Sequence, residues 1–447
     1  MNASTVAILL ALAMFLIVGL SAKKAQHSNF LDLFSANKEA SSLQIAAGMF
    51  TLIGAGELVA LSTLSFLFGL AGLFLFGGYA AAFVAIGLLG SKIVTTDDAR
   101  ASSTLVDYCA RRCGPLVGFS VLFVSILAFF SLLMLQFSTM GLVLTQATGI
   151  GRETVIVLSC VILLLYVYRG GMRAVFRTDV FQALLMFGLL GLFAFQIFST
   201  GPLPDIGAFG EAPFALTWGL AGVGFLVGVS SADVWQRILA TDSPRKALIG
   251  GVSGGVALLV YGVLLSYIGM SAFALAPNSS PDDAFFTAIG PTLAGSAPYI
   301  VIFLLLAALL STADTELFLV SSLTTRFLVD IVDKSSLDSK RNQIYLAALI
   351  GVSVLSALLA IYFDDLVKIY TWLLYFILAI SWPLFFALRG WLSDFPAALA
   401  IWLNLCVIGA AAISGAIVLE NIYHLIIPTL LVPGIVRIFA LCRLKAK

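Results

Sequence analysis

Long apolar runs, separated by short polar stretches, cover almost the whole chain. A bilayer core about 30 Å thick requires roughly 20 apolar residues in each helix that crosses it. Thirteen runs of this kind predict an all-α polytopic membrane protein. The runs cover residues 4–21, 43–63, 65–91, 115–145, 153–168, 179–199, 214–232, 247–275, 297–329, 342–362, 366–388, 396–418 and 422–442.

The distribution of basic residues predicts the orientation of these runs. The first run has no Lys or Arg before it, whereas Lys23 and Lys24 follow it. A signal peptide has the reverse polarity, so we expect a retained helix with its N-terminus outside. If each later run crosses once, all but two of the 24 Lys and Arg residues fall in inside segments, the exceptions being Arg152 and Lys368. Because Lys and Arg concentrate on the cytoplasmic side, this pattern predicts a multi-pass protein of the plasma (inner) membrane with a cytoplasmic C-terminus.

The composition narrows the classes of function. Hydrophobic residues make up 61% of the chain and charged residues only 11%, whereas about 25% charged residues is usual in soluble domains. The formal net charge of +1 gives no reason to expect a nucleic-acid partner. Two distant His and five scattered Cys offer no metal pair and no disulfide framework. No group of a nucleophile, a base and an acid indicates an enzyme, so we expect no cofactor and a lipid bilayer around most of the chain.

The second run contains an acidic residue directly after a glycine pair, in Gly54-Ala55-Gly56-Glu57-Leu58. Glycine weakens a helix interior by about 1 kcal/mol per residue, so a break in the helix is one interpretation. A break would free backbone carbonyls, which is tolerated in a membrane where they line a cavity or an ion site. The other interpretation is a tight helix crossing with Glu57 hydrogen-bonded to a neighbour, and the residues alone do not separate the two.

The ninth run carries three hydroxyls and two acids within six residues, in Ala308-Leu309-Leu310-Ser311-Thr312-Ala313-Asp314-Thr315-Glu316. At 100° per residue, Ala308, Ser311, Thr312 and Thr315 share one face of the helix. Such a face suits a hard monovalent cation. Hydroxyls that bond back to their own helix are the alternative, but the number of polar groups at membrane depth favours the cation site.

A third polar stretch, Arg169 to Gln182, is predicted to be an inside loop that runs into the sixth helix. Asp179 then lies at the helix start, where a carboxylate favours the helix dipole. On these residues alone, that structural role is favoured over a role in ion binding.

Four stretches together are similar to the sodium/solute symporter family, which includes proline, pantothenate and sugar symporters. The most specific is Gly170-Gly171 to Asp179-Val180-Phe181-Gln182, which resembles the family's Gly-Gly-x-x-Ala-Val-x-x-Thr-Asp-x-x-Gln pattern. The others are Ser103-Thr104-Leu105-Val106-Asp107-Tyr108 through Arg112-Cys113-Gly114, Asp233-Val234-Trp235-Gln236-Arg237 with Thr241-Asp242-Ser243, and Leu310-Ser311-Thr312-Ala313-Asp314 ending at Asp330-Ile331. The resemblance covers residues 103–331, and the helix plan extends it to most of the chain.

The resemblance implies a LeuT-type fold, in which two inverted repeats of five helices form the core and the first helix of each repeat is broken at the midplane. The chain is then one transporter domain, 1–447. Its parts are an extra N-terminal helix and loop (4–42), the first repeat (43–199), the second repeat (214–388) and C-terminal helices (396–447).

The resemblance also implies site residues. The main sodium site would use the backbone carbonyls of Ala55, Leu58 and Ala308 with the side-chain oxygens of Ser311 and Thr312. A candidate second sodium site would use Asp179, Asp314 and Thr315. Members with two ions usually have a serine pair at the last two positions, so this chain departs from the pattern and the number of ions stays open.

Solute contacts are predicted at Glu57, Trp218, Trp372 and Tyr375. Proline-type members have Asp where Glu57 stands, and many others have a neutral residue. Glu57 is therefore assigned three alternative roles, namely contact with a substrate ammonium, tuning of sodium affinity, or a structural acceptor.

The predicted function is sodium-coupled import of a small polar solute, such as an amino acid or an organic acid, by alternating access. One alternative is a solute-sensing regulatory membrane protein on a symporter-like body. Another is a proton-coupled symporter that uses Glu57 or Asp314. Binding partners are then the solute, Na⁺ and the lipid bilayer.

Overall fold

The computed structural model describes residues 3–22, 30–52, 54–200, 204, 213–290, 297–331, 341–363, 365–415 and 417–445. Regular structure within these ranges is helical, apart from one isolated bridge between Glu39 and Thr241. Lys23 and Lys24, which helped to orient the first run, lie outside the described residues.

The first half of the described chain contains nine helices. They are α1 (Ala3–Leu20), α2 (Phe30–Ser35), α3 (Ser42–Phe50), α4 (Ala55–Phe68), α5 (Leu73–Ile93), α6 (Asp97–Arg100), α7 (Leu105–Arg112), α8 (Pro115–Thr148) and α9 (Arg152–Thr200). Short 3₁₀ turns at Ala36–Lys38 and Gly69–Gly72 connect some of them.

The second half continues in the same way. Its helices are α10 (Phe214–Ser230), α11 (Ala232–Leu239), α12 (Pro244–Leu275), α13 (Ala284–Ile289), α14 (Ala297–Ile331), α15 (Arg341–Tyr362), α16 (Leu366–Leu388), α17 (Asp394–Ile413) and α18 (Ile426–Lys445). Further 3₁₀ turns cover Pro281–Asp283 and Leu419–Leu425.

The predicted class, an all-α polytopic membrane protein, is confirmed, but the number of thirteen helices is not. Among the described residues, nine helical segments are long and apolar enough to span a bilayer, or ten if a bent pair counts as one span. One of them, Glu57–Ile93, has 37 residues. A straight helix of that length would measure about 55 Å, well beyond the bilayer core. It joins α4 and α5 through the turn at Gly69–Gly72, which is why two predicted runs fall in one segment.

A break also divides α9, and it corrects one prediction. The segment predicted to be a loop is helical except at Gly171, whose φ of 51° and ψ of −143° interrupt the helix. Glycine adopts such a φ without the steric cost that other residues meet. Helix resumes directly after Gly171, so Asp179 lies two turns inside the helix and not at its start. The interpretation of Asp179 as a helix-dipole carboxylate is therefore wrong.

The predicted break in the second run is present between α3 and α4. Thr51 caps the end of α3, and Gly54, with an extended backbone, caps the start of α4. The N–H of Gly54 donates to Oε2 of Glu57 at 2.9 Å. A matching bend of 48° separates α10 from α11 at Ser231. Both breaks expose backbone groups that an unbroken helix would pair within itself.

Glycine contacts hold α5, α10 and α12 unusually close together. A Cβ atom added to Gly78 of α5 would lie 2.1 Å from the carbonyl oxygen of Ala221 in α10. The reverse contact is as tight, because a Cβ on Gly224 would lie 2.0 Å from the carbonyl oxygen of Leu75. Between α5 and α12, a Cβ on Gly251 would lie 2.5 Å from Cα of Gly87. Small residues allow membrane helices to approach in this way.

Gly78→Ala should lower the stability of the folded protein, whereas the neighbouring Gly77→Ala should not. The added methyl group at position 78 would collide with backbone that cannot yield easily, at a cost of about 1–3 kcal/mol. A Cβ on Gly77 meets no atom within 4 Å, and alanine favours a helix over glycine by about 1 kcal/mol. Thermal unfolding of both variants in detergent measures the difference. Equal melting temperatures would contradict the backbone contact.

Lys38 anchors the chain just before α3. Its ammonium group donates to the carbonyl oxygens of Ala99 at 2.7 Å, Ser102 at 2.8 Å and Leu239 at 3.1 Å. The first two acceptors follow α5, and the third ends α11. Lys38 precedes the first broken helix, α3–α4, and Leu239 ends the second, α10–α11. These bonds therefore join the two broken helices and close one end of the molecule.

Candidate functional site

Two hydroxyls of α14 reach across to the end of α3. Ser311 Oγ lies 3.3 Å from the carbonyl oxygen of Thr51 and 2.9 Å from that of Ala308. Thr312 Oγ1 lies 3.2 Å and 3.3 Å from the same two oxygens. Ser311 and Thr312 are fully buried. Each hydroxyl has one proton to donate, so its lone pairs remain available to a cation. Four oxygens therefore converge between α3 and α14.

The structure brings together three of the five predicted ligands of the main sodium site, namely Ala308, Ser311 and Thr312. The carbonyl of Thr51, which the sequence did not indicate, stands with them. Ala55 and Leu58 lie in the first turn of α4, just beyond the break, and their roles stay predictions. The start of α4 is close, because a Cβ on Gly54 would lie 2.6 Å from Thr312 Oγ1.

A buried ion pair lies directly beside this group. Arg237 of α11 donates from one terminal nitrogen to Oδ2 of Asp179 at 3.2 Å and to Oγ1 of Thr315 at 2.7 Å. The side chains of Arg237 and Asp179 are fully buried. The hydroxyl of Thr51 donates to the other carboxylate oxygen, Oδ1, at 2.9 Å. Thr51 thus contacts both polar groups, one through its carbonyl and the other through its hydroxyl.

Asp314 extends the same network on the far side of Thr315. Its Oδ2 accepts hydrogen bonds from Tyr166 at 2.8 Å and Thr178 at 2.9 Å. The three residues of the candidate second sodium site, Asp179, Asp314 and Thr315, therefore do lie close together. The group between Asp179 and Thr315 is the guanidinium of Arg237.

A small internal cavity of about 30 Å³ lies between the two broken helices. Two carboxyl side chains line it, Glu57 from α4 and Asp233 from α11, and each is 4% exposed. Its walls come from α5, α8 and α16. A larger groove of about 700 Å³ lies between α1 and α9, but it contains none of the residues of the polar networks.

Comparison with known proteins identifies the family. Residues 33–254 match the model of the sodium:solute symporter family. The chain belongs to this family. A search of curated protein sequences finds no match.

Solved structures of transporters share the fold of this family member. A Na⁺-coupled sialic acid symporter in a substrate-bound outward-open state is 16% identical, with a TM-score of 0.79 over 98% of this chain and 96% of that one. Mhp1, a nucleobase-cation-symport-1 family transporter, is 12% identical, with a TM-score of 0.59 over 94% of both chains. A manganese transporter of Eremococcus coleocola is 17% identical, with a TM-score of 0.51 over 92% of this chain and 96% of that one. At these identities the likeness shows the LeuT-type fold.

The three aromatic residues predicted to contact the solute are not among the residues that line the cavity of this symporter-family protein. Trp218 is 56% exposed and packs against Phe74 and Phe214 on the outer surface, which suits contact with lipid. Trp372 packs edge-to-face on Phe363. The hydroxyl of Tyr375 donates to the carbonyl oxygen of Ile417 at 2.6 Å. The described contacts of all three are therefore structural.

Several functional candidates were missed from the sequence. Asp233 and Arg237 were noted only as parts of a family motif. Gln136 is fully buried beside Glu57, and Glu316, which was noted only as one of two acids in the ninth run, is fully buried without a hydrogen bond to its carboxyl oxygens. An acid or an arginine inside an apolar run is a signal that marks a functional candidate, and it could have identified Asp233 and Arg237.

Proposed function

We propose that this protein is a sodium-coupled symporter that imports a small polar solute by alternating access. The convergence of Ser311, Thr312, Ala308 and Thr51 between α3 and α14 carries the proposal. Uncharged hydroxyl and carbonyl oxygens suit a hard monovalent ion. The fold is that of known transporters, and one of these is a Na⁺-coupled symporter.

Sodium would act by holding two helices together. Its oxygen ligands come from the end of the broken helix α3 and from the continuous helix α14, so a bound ion would fix α3 next to the cavity. Solute would then bind to a cavity whose wall is already in place. By linkage, sodium raises the affinity for solute by the same factor as solute raises the affinity for sodium.

We further propose that Arg237 takes the place of a second ion. Its guanidinium supplies the positive charge between Asp179 and Thr315, where the candidate second site was predicted. A second cation bound there would repel the fully buried guanidinium or displace it from Asp179, and a buried guanidinium without its carboxylate partner is costly. Transport would accordingly be coupled to one sodium ion.

The proposed direction rests on the positive-inside pattern, which places the N-terminus outside and the Lys38 contacts on the cytoplasmic side. Because the Lys38 bonds would close the cytoplasmic end, the solute would reach the cavity from outside. Sodium, which is scarce inside cells, would then be released only after these contacts open.

Sodium-specific stabilisation of the purified protein is the first expected result. A ligand that binds only the folded state stabilises it by an amount that rises with the logarithm of the ligand concentration once this exceeds the Kd. We expect a higher melting temperature in NaCl than in KCl at equal ionic strength, and a further rise as Na⁺ replaces K⁺. Identical melting curves in the two salts would contradict the proposal. Solute binding without solute-dependent ²²Na⁺ uptake into proteoliposomes would instead identify a sensor.

A further inference from the structure

The start of α4 differs from the usual anion site at a broken membrane helix. The N-terminus of a half-helix carries partial positive charge, and in transporters it commonly faces an anionic group of the substrate. Here the carboxylate of Glu57 already occupies that position, because its Oε2 accepts the N–H of Gly54 at 2.9 Å. A solute carboxylate would have to displace it and would meet a like charge.

The cavity has acidic groups and no basic group among its described lining residues. Glu57 and Asp233 come from opposite broken helices and converge on it. Asp233 Oδ1 accepts a hydrogen bond from the N–H of Val234 at 2.7 Å. A buried carboxylate is stable only when it is paired or hydrogen-bonded. The described partners of Asp233 also include the Ser231 side chain, and a cationic group in the cavity would add a charged partner to these hydrogen bonds.

A buried polar side chain lies beside the same carboxyl group. Gln136 of α8 is fully buried, and its side-chain amide interacts with the carboxyl group of Glu57. A Cβ atom on Gly54 would lie 2.6 Å from the amide nitrogen of Gln136, so this amide is directed at the α3–α4 break beside Glu57. It also follows Leu132, a cavity residue, by one helical turn. An amide group both donates and accepts hydrogen bonds, so Gln136 can position the Glu57 carboxyl group for a bound solute.

Carboxyl groups predominate among the buried ionisable side chains around the cavity. Fully or nearly fully buried carboxyl groups surround the two breaks, and the described buried residues there include one cation, Arg237. The carboxyl groups belong to Glu57, Asp179, Asp233, Asp314 and Glu316. Both oxygens of Glu316 lack a hydrogen bond. Carboxyl groups therefore outnumber the described cations here, and a cationic solute would stabilise their ionised form where a neutral or anionic solute would not.

The remaining cavity wall suits an organic cation. Tyr79, Phe83 and Phe129 line it with aromatic rings. The face of an aromatic ring attracts ammonium and guanidinium groups, most strongly where water is excluded. The present volume of about 30 Å³ accommodates water and no larger solute, so the walls must part for binding.

We propose that the solute is an organic cation whose ammonium or guanidinium group pairs with Asp233 and Glu57 beneath this aromatic wall. The inference rests on the proposed function, because it places the solute in the path of a sodium-coupled symporter. It assigns Asp233 as the principal partner of the charge, since Glu57 also caps α4.

The test measures melting temperatures of the full-length protein in NaCl and in KCl. Choline, putrescine and agmatine represent organic cations, succinate represents anions, and glucose represents neutral solutes. We expect at least one organic cation to raise the melting temperature further in NaCl and less in KCl. Asp233→Asn should lower the apparent affinity for that organic cation by about tenfold or more, while the melting-temperature response to Na⁺ alone remains. Glu153→Gln, which neutralises an exposed acid at the start of α9, should leave both responses unchanged.

The outcomes separate the two proposals. Absence of any Na⁺-specific shift would contradict the symporter itself. A retained Na⁺ shift that only succinate or glucose deepens, or that no organic cation deepens, would overturn the cationic solute. Stability without ligand gives an independent readout, because a carboxylate kept for binding is a cost to the empty protein. Asp233→Asn should therefore raise the melting temperature of the empty protein, and a fall would show that Asp233 is structural.

Discussion

Arg237→Ala should reduce the free energy of unfolding by about 3–5 kcal/mol, the usual cost of breaking a buried ion pair from one side. The substitution leaves the carboxylate of Asp179 fully buried with one hydrogen bond, from Thr51. It also removes the donor to Thr315. Thermal unfolding of the purified variant, compared with the wild-type protein in the same detergent and salt, measures the loss.

Two further variants separate charge from lost packing. The double variant Arg237→Ala with Asp179→Asn removes the uncompensated charge and should regain part of the stability. Arg173→Ala breaks an ion pair whose partner Glu39 is 69% exposed in its side chain, and such pairs contribute about 0–1 kcal/mol. If Arg237→Ala were as mild as Arg173→Ala, the ion pair would not stabilise this fold.

Thr312→Ala and Ser311→Ala should each abolish most of the stabilisation by Na⁺. Each removes one oxygen of the four that converge between α3 and α14 and leaves the backbone ligands in place. We expect the apparent affinity for Na⁺ to fall by about thirtyfold, corresponding to about 2 kcal/mol. Titration of the melting temperature with NaCl at constant ionic strength gives the affinity directly.

Ser322→Ala is the matched control on the same helix. Its hydroxyl is also buried, but it donates to the carbonyl oxygen of Phe318 within α14. This variant should keep the wild-type response to Na⁺, and so should Thr312→Ser, which retains the ligand oxygen. Wild-type titrations for both Ser311→Ala and Thr312→Ala would exclude the assigned sodium site.

Hydrophobicity was sufficient to predict most of the fold. A membrane helix must satisfy its backbone internally, so every long apolar run had to become helical. The glycines before Glu57 left a break and a tight helix crossing equally open, and the family resemblance favoured the break. The number of spans could not be predicted, since a turn such as Gly69–Gly72 is as apolar as the helices that it joins. The break at Gly171 was not predicted correctly either. Its polar neighbours indicated a loop, whereas the helix is interrupted at this one residue.

In the candidate site, residues that are close in sequence could be predicted, whereas residues that meet only in the tertiary structure could not. Ser311 and Thr312 share a helix face with Ala308, and spacing alone brings such residues together. The carbonyl of Thr51 has no sequence signature, because every residue carries one. Asp179 and Arg237 are 58 residues apart, and their pairing depends on how α9 and α11 meet. The aromatic residues were chosen for their chemistry, but the helix rotation that decides which way each one faces is set by packing.

The glycine contacts of α12 determine which parts of the protein can move independently. Helix α12 touches α3 through Gly250 and Gly254 and α4 through Gly269, as well as α5 through Gly251. Backbones in such close contact leave little room for sliding, so we expect these helices to move together. Ser311 and Thr312 belong to α14, which takes no part in these glycine contacts. The proposed sodium site would therefore lie between this group of helices and α14, where one bound ion would restrain the movement of several helices at once.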